Sequence, residues 1–92
     1  MVRSFADRKT AKFFSGERVN AFSGFKKTAE RKLEILDNAE DLVDLLVPPG
    51  NQLEKLGGDR RGQHSIRIND QWRICFVWKE DGPHDVEITD YH

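Results

Sequence analysis

The sequence predicts a two-layer α+β domain in which helices cover one face of an antiparallel sheet. Two observations predict this class. Between residues 22 and 46 the apolar residues recur every three or four positions, which is typical of amphipathic helices. After residue 63 they recur every second position, in runs separated by short turns, which indicates a meander of strands. The predicted order is β-α-α-β-β-β.

Length and composition restrict the chain to one domain, residues 1–92, because 10.7 kDa leaves no room for a second, cofactor-binding unit. Two Trp, one Tyr and six Phe supply a core. A single cysteine, Cys75, excludes an internal disulfide and a four-cysteine zinc site. The sequence has no apolar run long enough for a membrane span or a signal peptide. We therefore expect a soluble cytoplasmic protein without a membrane partner.

The net charge of −1 hides separate charged regions. Residues 1–32 hold nine Lys/Arg and three Asp/Glu, whereas residues 33–59 hold one Lys and seven Asp/Glu. Residues 60–92 are nearly balanced, with five Lys/Arg and six Asp/Glu. Phosphate binding needs a locally positive surface rather than a positive total. The first region suits an acidic partner segment and the second a basic one, and charge alone does not choose between them.

The N-terminal elements follow from alternation and capping. Residues 2–5 alternate apolar and polar side chains, which predicts a short strand. A cap-like Ser-x-x-Asp pattern follows, so we expect a short helix over residues 6–14 with Ala11 and Phe14 facing inward.

The next helices are predicted over residues 24–37 and 39–46, and the Pro-Pro-Gly run after them ends helical structure. Their apolar stripe is expected to enter the core. It consists of Phe22, Phe25, Ala29, Leu33, Leu36, Ala39, Val43 and Leu46.

The strands that follow divide their side chains between two faces, because side chains alternate along a strand. Residues 53–56 form a short strand or a turn. The helix-facing side is expected to hold Ile66, Ile68, Ile74, Phe76, Val86 and Ile88. The open side is expected to hold Ser65, Arg67, Arg73, Cys75, Glu87, Thr89 and Tyr91.

Arg73 lies between Trp72 and Ile74 in the most hydrophobic strand, where an arginine loses water and needs a partner. One interpretation is a structural pair with Glu87 on the neighbouring strand. The other is a phosphate ligand, because the planar guanidinium fork suits two oxygens. Arg67 is a second cation on that side.

A basic, glycine-rich turn spans residues 57–62. Its glycines allow close backbone approach to RNA, while Arg60 and Arg61 hold phosphates; the alternative is an exposed loop with two solvated arginines. Lys55, just before the turn, is a further candidate for contact with RNA. The spacing does not match a P-loop, so nucleotide triphosphate binding is not indicated.

The C-terminal residues Asp90, Tyr91 and His92 offer groups for cleaving RNA through its own 2′-OH. This reaction needs a base, positive charge on the phosphate and an acid for the departing oxygen. His92 suits acid or base work, and Asp90 can orient it or act as base. Tyr91 can stack on a base or donate a proton, while Arg73 stabilises the phosphate charge. The three histidines have no ligand spacing, so we expect no metal and no cofactor.

Three segments of the chain resemble the HigB toxins of the RelE/ParE toxin–antitoxin superfamily: residues 2–5, 58–74 and 86–92. The resemblance covers nearly the whole chain. It implies a RelE-like, microbial-RNase-type fold and a metal-independent endoribonuclease that cleaves translated mRNA in the ribosomal A site. It also implies a HigA-type antitoxin with a helix-turn-helix. The toxin is then expected to contact operator DNA only through this antitoxin. By position, the implied functional residues are Arg73, Asp90, Tyr91 and His92.

Two positions depart from the family pattern. Glu54 and Gly57 stand where some members carry a histidine and a lysine, and the total charge is less basic than is usual for these toxins. Two alternatives therefore stay open. One is a non-catalytic ParE-like toxin that poisons DNA gyrase, since fold alone does not define activity. The other is an attenuated toxin that acts mainly through its antitoxin complex.

Overall fold

The computed structural model describes residues 1–91, so the prediction for His92 lies outside the described residues. The α+β class is confirmed. The elements are α1 (Arg8–Phe14), α2 (Lys26–Asn38), β1 (Glu54–Lys55), β2 (His64–Arg67), β3 (Trp72–Lys79) and β4 (Gly82–Asp90). Neighbouring strands pair antiparallel in the order β1-β2-β3-β4. The strand β1 forms where the sequence left a strand or a turn open.

The predicted N-terminal strand is an irregular edge beside β4. The Ala6 N–H donates to the Val86 carbonyl and the Val86 N–H donates to the Ser4 carbonyl, each at 3.0 Å. This pairing is parallel but forms one regular bridge within the described residues. The reason is a bulge in β4, where the register with β3 shifts and Asp85 adopts a left-handed backbone with φ of 51°.

The short helix α1 forms, but it turns a different face inward from the one predicted. Thr10 and Phe13 are buried, whereas Ala11 is partly exposed and Phe14 is 38% exposed. The Thr10 hydroxyl accepts a hydrogen bond from the Ile88 N–H at 3.0 Å. This edge amide of β4 needs an acceptor, so a polar residue occupies the inward position.

The helix predicted over residues 39–46 is wrong in type. The chain forms a 3-10 helix at Leu42–Leu46 instead. With three residues per turn, the side chains at the first and fourth positions share a face, and Leu45 is fully buried. Val43 and Leu46, which a 3.6-residue period places in the core, are exposed. The helix α2 matches its predicted range closely.

The predicted helix-facing side of the sheet is confirmed. All six of its apolar residues are buried and lie in one core cluster with Ala29, Leu33 and Leu36 of α2. Each fully buried aliphatic or aromatic side chain contributes about 1.5–3 kcal/mol to stability. No helix within residues 1–91 has the length and apolar character needed to cross a membrane.

The other side of the sheet is not open, which corrects part of the prediction. Ser65 and Cys75 have no exposed surface, and Arg73 is 9% exposed. Residues on both sides of β1 fold over this face and supply polar partners. A sheet face that carries hydrogen-bonding side chains is buried only where such partners exist.

Candidate active site

Arg73 is the centre of a polar cluster on the face away from the helices. Its Nε donates to Ser65 Oγ at 2.7 Å, and its Nη2 donates to the Gln52 carbonyl at 2.5 Å. Glu54 Oε2 lies 3.9 Å from the same Nη2. The predicted structural pair with Glu87 is therefore wrong, because a backbone carbonyl and a hydroxyl take the guanidinium donors instead.

The neighbours of Arg73 are positioned by two local features. Gln52 follows a 3-10 turn at Pro49–Asn51 and adopts a left-handed backbone with φ of 44°. Next, Glu54 pairs with Ser65 across β1 and β2, and Ser65 pairs with Cys75 across β2 and β3. This register places the Glu54 carboxylate on the same face as Arg73.

Sequence reasoning treated Glu54 only as a departure from the family pattern and missed its place in this site. Its side chain is 53% exposed, so the carboxylate is accessible from solvent as well as close to Arg73. Side-chain alternation along β1 separates Glu54 from Lys55, but only the pairing of β1 with β2 shows that Glu54 lies on the face that carries Arg73.

Arg60, in the glycine-rich turn, forms an ion pair with Glu87, the residue that one interpretation of the sequence paired with Arg73. Its Nη1 donates to Glu87 Oε1 at 3.0 Å and to Gln63 Oε1 at 3.1 Å. Burial lowers the pKa of the Arg60 guanidinium, but the bond to Glu87 and the nearby Cys75 and Tyr91 outweigh it, so the pKa is raised. The turn thus brings a fixed cation onto the face of the sheet that carries Arg73.

Burial also raises the pKa of the Cys75 thiol, which lies under this cluster. A buried, protonated thiol is a poor nucleophile, so no catalytic role is assigned to Cys75.

The predicted C-terminal residues divide between the two sides of the sheet. Asp90 pairs with Trp72 across β3 and β4, so it lies on the face opposite Arg73. Its Oδ2 accepts a hydrogen bond from Gln71 Nε2 at 2.8 Å. The Tyr91 N–H donates to the Gln71 carbonyl at 3.2 Å, which continues the chain in register beyond β4. Alternation returns Tyr91 to the side of Arg73.

The remaining predicted cations are at the rim. Lys55 and Arg61 are exposed. Arg67 is partly exposed and forms an ion pair with Asp70 in the β2–β3 turn, with 2.5 Å between Nη2 and Oδ1. Lys55 faces His64 across β1 and β2.

The histidines differ from one another. Burial, with a smaller effect of Lys55, lowers the pKa of His64, whose Nδ1 is buried without a hydrogen bond in the described part of the chain. The His84 Nε2 lies 2.6 Å from Asp81 Oδ1, at the far end of the sheet. Within residues 1–91 there is no group of three His, Cys, Asp or Glu side chains arranged to hold a metal ion.

The helix-covered antiparallel sheet is a RelE-like, microbial-RNase-type fold. A solved structure with this fold, the YoeB–YefM complex from Staphylococcus aureus, is similar with a TM-score of 0.63. The similarity covers 100% of this chain and 98% of that one at 18% identity, so it concerns the fold. A family model, described as the RelE-like toxin of type II toxin–antitoxin system HigB, matches residues 3–92.

The chain belongs to the HigB-like toxin family and is a toxin of a type II toxin–antitoxin system. It is 39% identical to Toxin HigB-1 of Vibrio cholerae over 80 residues, which are 85% of this chain and 84% of that protein. A Haemophilus influenzae protein is 34% identical over 59 residues, which are 64% of this chain and 58% of that one. The resemblance stated from the sequence is confirmed.

Proposed function

We propose that this toxin is a metal-independent endoribonuclease that cleaves translated mRNA in the ribosomal A site. The observation that carries the proposal is the pair formed by Arg73 and Glu54, 3.9 Å apart on the face of the sheet away from the helices. A fixed guanidinium suits a phosphate, and a solvent-accessible carboxylate beside it suits proton transfer. Arg60 and Tyr91 lie on the same face.

In the proposed reaction the RNA supplies its own nucleophile. The 2′-OH gives its proton to Glu54 Oε2, and the 2′ oxygen then attacks the adjacent phosphorus. The 5′ oxygen leaves with a proton from Tyr91 or His92, and a 2′,3′-cyclic phosphate remains. Arg73 stabilises the charge that develops on the phosphate oxygens. Its Nη1 donates no hydrogen bond within residues 1–91, so this nitrogen is the one assigned to the phosphate.

The role proposed for Asp90 is to position the residues that follow it. Its carboxylate lies on the opposite face but holds Gln71, whose carbonyl accepts the Tyr91 N–H. Loss of this link is expected to loosen Tyr91 and His92 relative to Arg73. In this way Asp90 supports cleavage without touching the substrate.

The cations around the cluster are proposed to hold the RNA backbone and the ribosome. Arg61 is exposed in the glycine-rich turn beside Arg60. Lys55 is exposed on the opposite side of β1 from Glu54, in register with His64, so it is proposed to contact the ribosome rather than the RNA at Arg73. Arg60 and Arg67 already pair with carboxylates, so they bind phosphate by exchanging Glu87 and Asp70 for it. Such exchange makes binding sensitive to salt.

We also propose a HigA-type helix-turn-helix antitoxin as the partner that neutralises the toxin in the cytoplasm. The similar YoeB fold occurs in a complex with YefM, which supports an antitoxin partner for this chain. Binding to operator DNA is assigned to the antitoxin, because a helix-turn-helix places a recognition helix in the major groove.

The test is mRNA cleavage by purified protein on translating ribosomes, mapped by primer extension with and without EDTA. Glu54→Gln is expected to slow cleavage by about 10²–10⁴-fold, the usual contribution of a general base. Glu80→Gln, at an exposed glutamate of the β3–β4 turn, is the matched control and is expected to cleave normally. Thermal melts confirm that both variants are folded.

Arg73→Lys keeps the charge but loses the planar fork, so we expect a large loss of cleavage with this variant as well. Normal cleavage by Glu54→Gln would remove Glu54 as the base. Absence of cleavage by the unmodified protein, together with inhibition of DNA supercoiling, would overturn the ribonuclease proposal in favour of a gyrase poison. Absence of both effects would favour an attenuated toxin.

A further inference from the structure

Three large apolar side chains are exposed within five consecutive residues. Val43, Leu46 and Val47 are 62%, 55% and 70% exposed, around the 3-10 helix Leu42–Leu46. Elsewhere in residues 1–91, the exposed large hydrophobic residues are Met1 and Phe14. Contiguous apolar exposure in a small protein marks an interaction surface more often than an isolated residue does.

The N-terminal end of this exposed segment is rigidly built. Asp44 Oδ2 accepts hydrogen bonds from the Glu40 and Asp41 N–H groups, each at 3.0 Å. Asp41 and Asp44 together form a capping box for the 3-10 helix. The conformation that exposes the apolar side chains is therefore fixed by satisfied backbone donors.

The C-terminal end is fixed from inside the protein. Asn51 is fully buried, and its Nδ2 donates to the carbonyls of Leu45 and Val47 at 3.1 and 3.2 Å. The buried Lys32 in turn donates to Asn51 Oδ1 at 2.6 Å. The backbone under the exposed side chains is thus preorganised, which lowers the entropic cost of binding a partner.

The charge around the segment is mainly negative. Residues 33–53 contain five Asp/Glu and no Lys/Arg. A groove of about 370 Å³ adjoins the segment and shares Asp44 with it. We call these side chains and the groove the acidic apolar patch. The other residues lining the groove are Arg31, Glu34, Ile35, Asn38 and Ala39.

This combination selects the class of partner. Carboxylates repel the phosphates of RNA, so the patch is unsuited to the nucleic acid that the opposite face of the sheet would bind. An amphipathic protein segment fits instead, with apolar side chains over Val43, Leu46 and Val47. Its Lys and Arg side chains would lie against Glu34, Asp44 and neighbouring carboxylates.

We propose that the acidic apolar patch is the docking surface for a basic amphipathic segment of the antitoxin. The inference rests on the proposed function in one respect, namely that the toxin has an antitoxin partner. The proposal selects the acidic region, residues 33–59, over the basic region, residues 1–32, as the surface for the antitoxin. Among the described residues, the basic region exposes only Met1 and Phe14 as large apolar side chains.

The test is calorimetric titration of the purified toxin with the antitoxin encoded beside it. The double variants Val43→Ser/Leu46→Ser and Glu34→Lys/Glu40→Lys are each expected to weaken binding at least tenfold. Both are expected to cleave mRNA on ribosomes like the unmodified toxin, which shows that they are folded. Lys9→Glu/Lys12→Glu, on exposed positions of α1, is the matched control and is expected to bind normally.

The proposal is overturned if both patch variants bind like the unmodified toxin, or if the α1 variant alone loses binding. It is also overturned if the unmodified toxin does not bind the antitoxin. In that case the ribonuclease proposal stands or falls separately, because cleavage is measured without antitoxin. A Kd that rises with salt for the unmodified toxin, but much less for Glu34→Lys/Glu40→Lys, would support the predicted charge pairing.

Discussion

The two faces of the sheet are both buried, but by different chemistry. The face toward the helices is covered by apolar side chains of the core cluster. The other face buries Arg73, Ser65 and Cys75 under polar groups that include the Gln52 carbonyl. Apolar burial requires only shape and volume, whereas the guanidinium requires particular acceptors. Periodicity therefore defines the first face, and distant partners define the second.

The largest expected effect tests the apolar face. Phe76→Ala removes a fully buried ring and should lower the free energy of unfolding by about 3–5 kcal/mol, measured by urea denaturation. Its neighbour Cys75 is equally buried but on the other face, so Cys75→Ala serves as the control with a much smaller loss. Equal losses from the two variants would contradict the contrast between the faces.

Asn51 joins the two faces, and its substitution is expected to have the next largest effect. Asn51→Ala leaves the buried Lys32 ammonium and two backbone carbonyls without their partner. Unpaired buried groups cost about 1–3 kcal/mol, so the free energy of unfolding should fall by a similar amount. Because Gln52 holds Arg73, mRNA cleavage should fall as well.

The control for this prediction is Asn38→Ala, at an exposed asparagine at the end of α2. It is expected to leave stability within about 0.5 kcal/mol of the unmodified protein. Full cleavage activity in Asn51→Ala would show that Gln52 keeps its position without its neighbour.

The smallest expected effect concerns His64, a polar ring beside the apolar face. It pairs with Phe76 across β2 and β3 and stacks on it, with ring centroids 6.3 Å apart. Burial lowers its pKa below the usual 6.5, so the unfolded state takes up a proton at higher pH than the folded state does. Stability should therefore fall as the pH drops below 6.5.

This pH dependence is measured as the free energy of unfolding at pH 7.5 and pH 5, for the unmodified protein and His64→Gln. The variant lacks the titrating ring and should lose less stability over this interval. An identical loss in both proteins would assign the pH dependence to other groups.

The sequence predicts the apolar face in full and the polar face in part. Ile66, Ile74 and Val86 were placed correctly because alternation decides which side chains point to the core. Arg73 was placed on the correct face, but its partners were not found, since Ser65 reaches it across paired strands and Gln52 from the end of a 3-10 turn. Local pattern contains no information on such contacts.

Errors at the helices have a related cause. Val43 and Leu46 fit the 3.6-residue period of the preceding helix, but the segment winds with three residues per turn. The buried Asn51 side chain and the Asp44 cap stabilise that conformation. Neither could be foreseen from apolar spacing, because both are polar contacts between segments several residues apart.

The edge pairing of residues 2–6 with β4 has a consequence for the order in which the toxin is made and folds. Residues 2–6 are synthesised long before β4, yet Ala6 and Ser4 bond to Val86, some eighty positions later. Closing such a long loop is slow relative to forming helices. On the growing chain α1 and α2 can therefore form early, while the sheet is completed only after β4 has left the ribosome. Arg60 of the glycine-rich turn is held by Glu87 of β4, so in a nascent toxin that has not reached this strand the proposed site is not yet assembled.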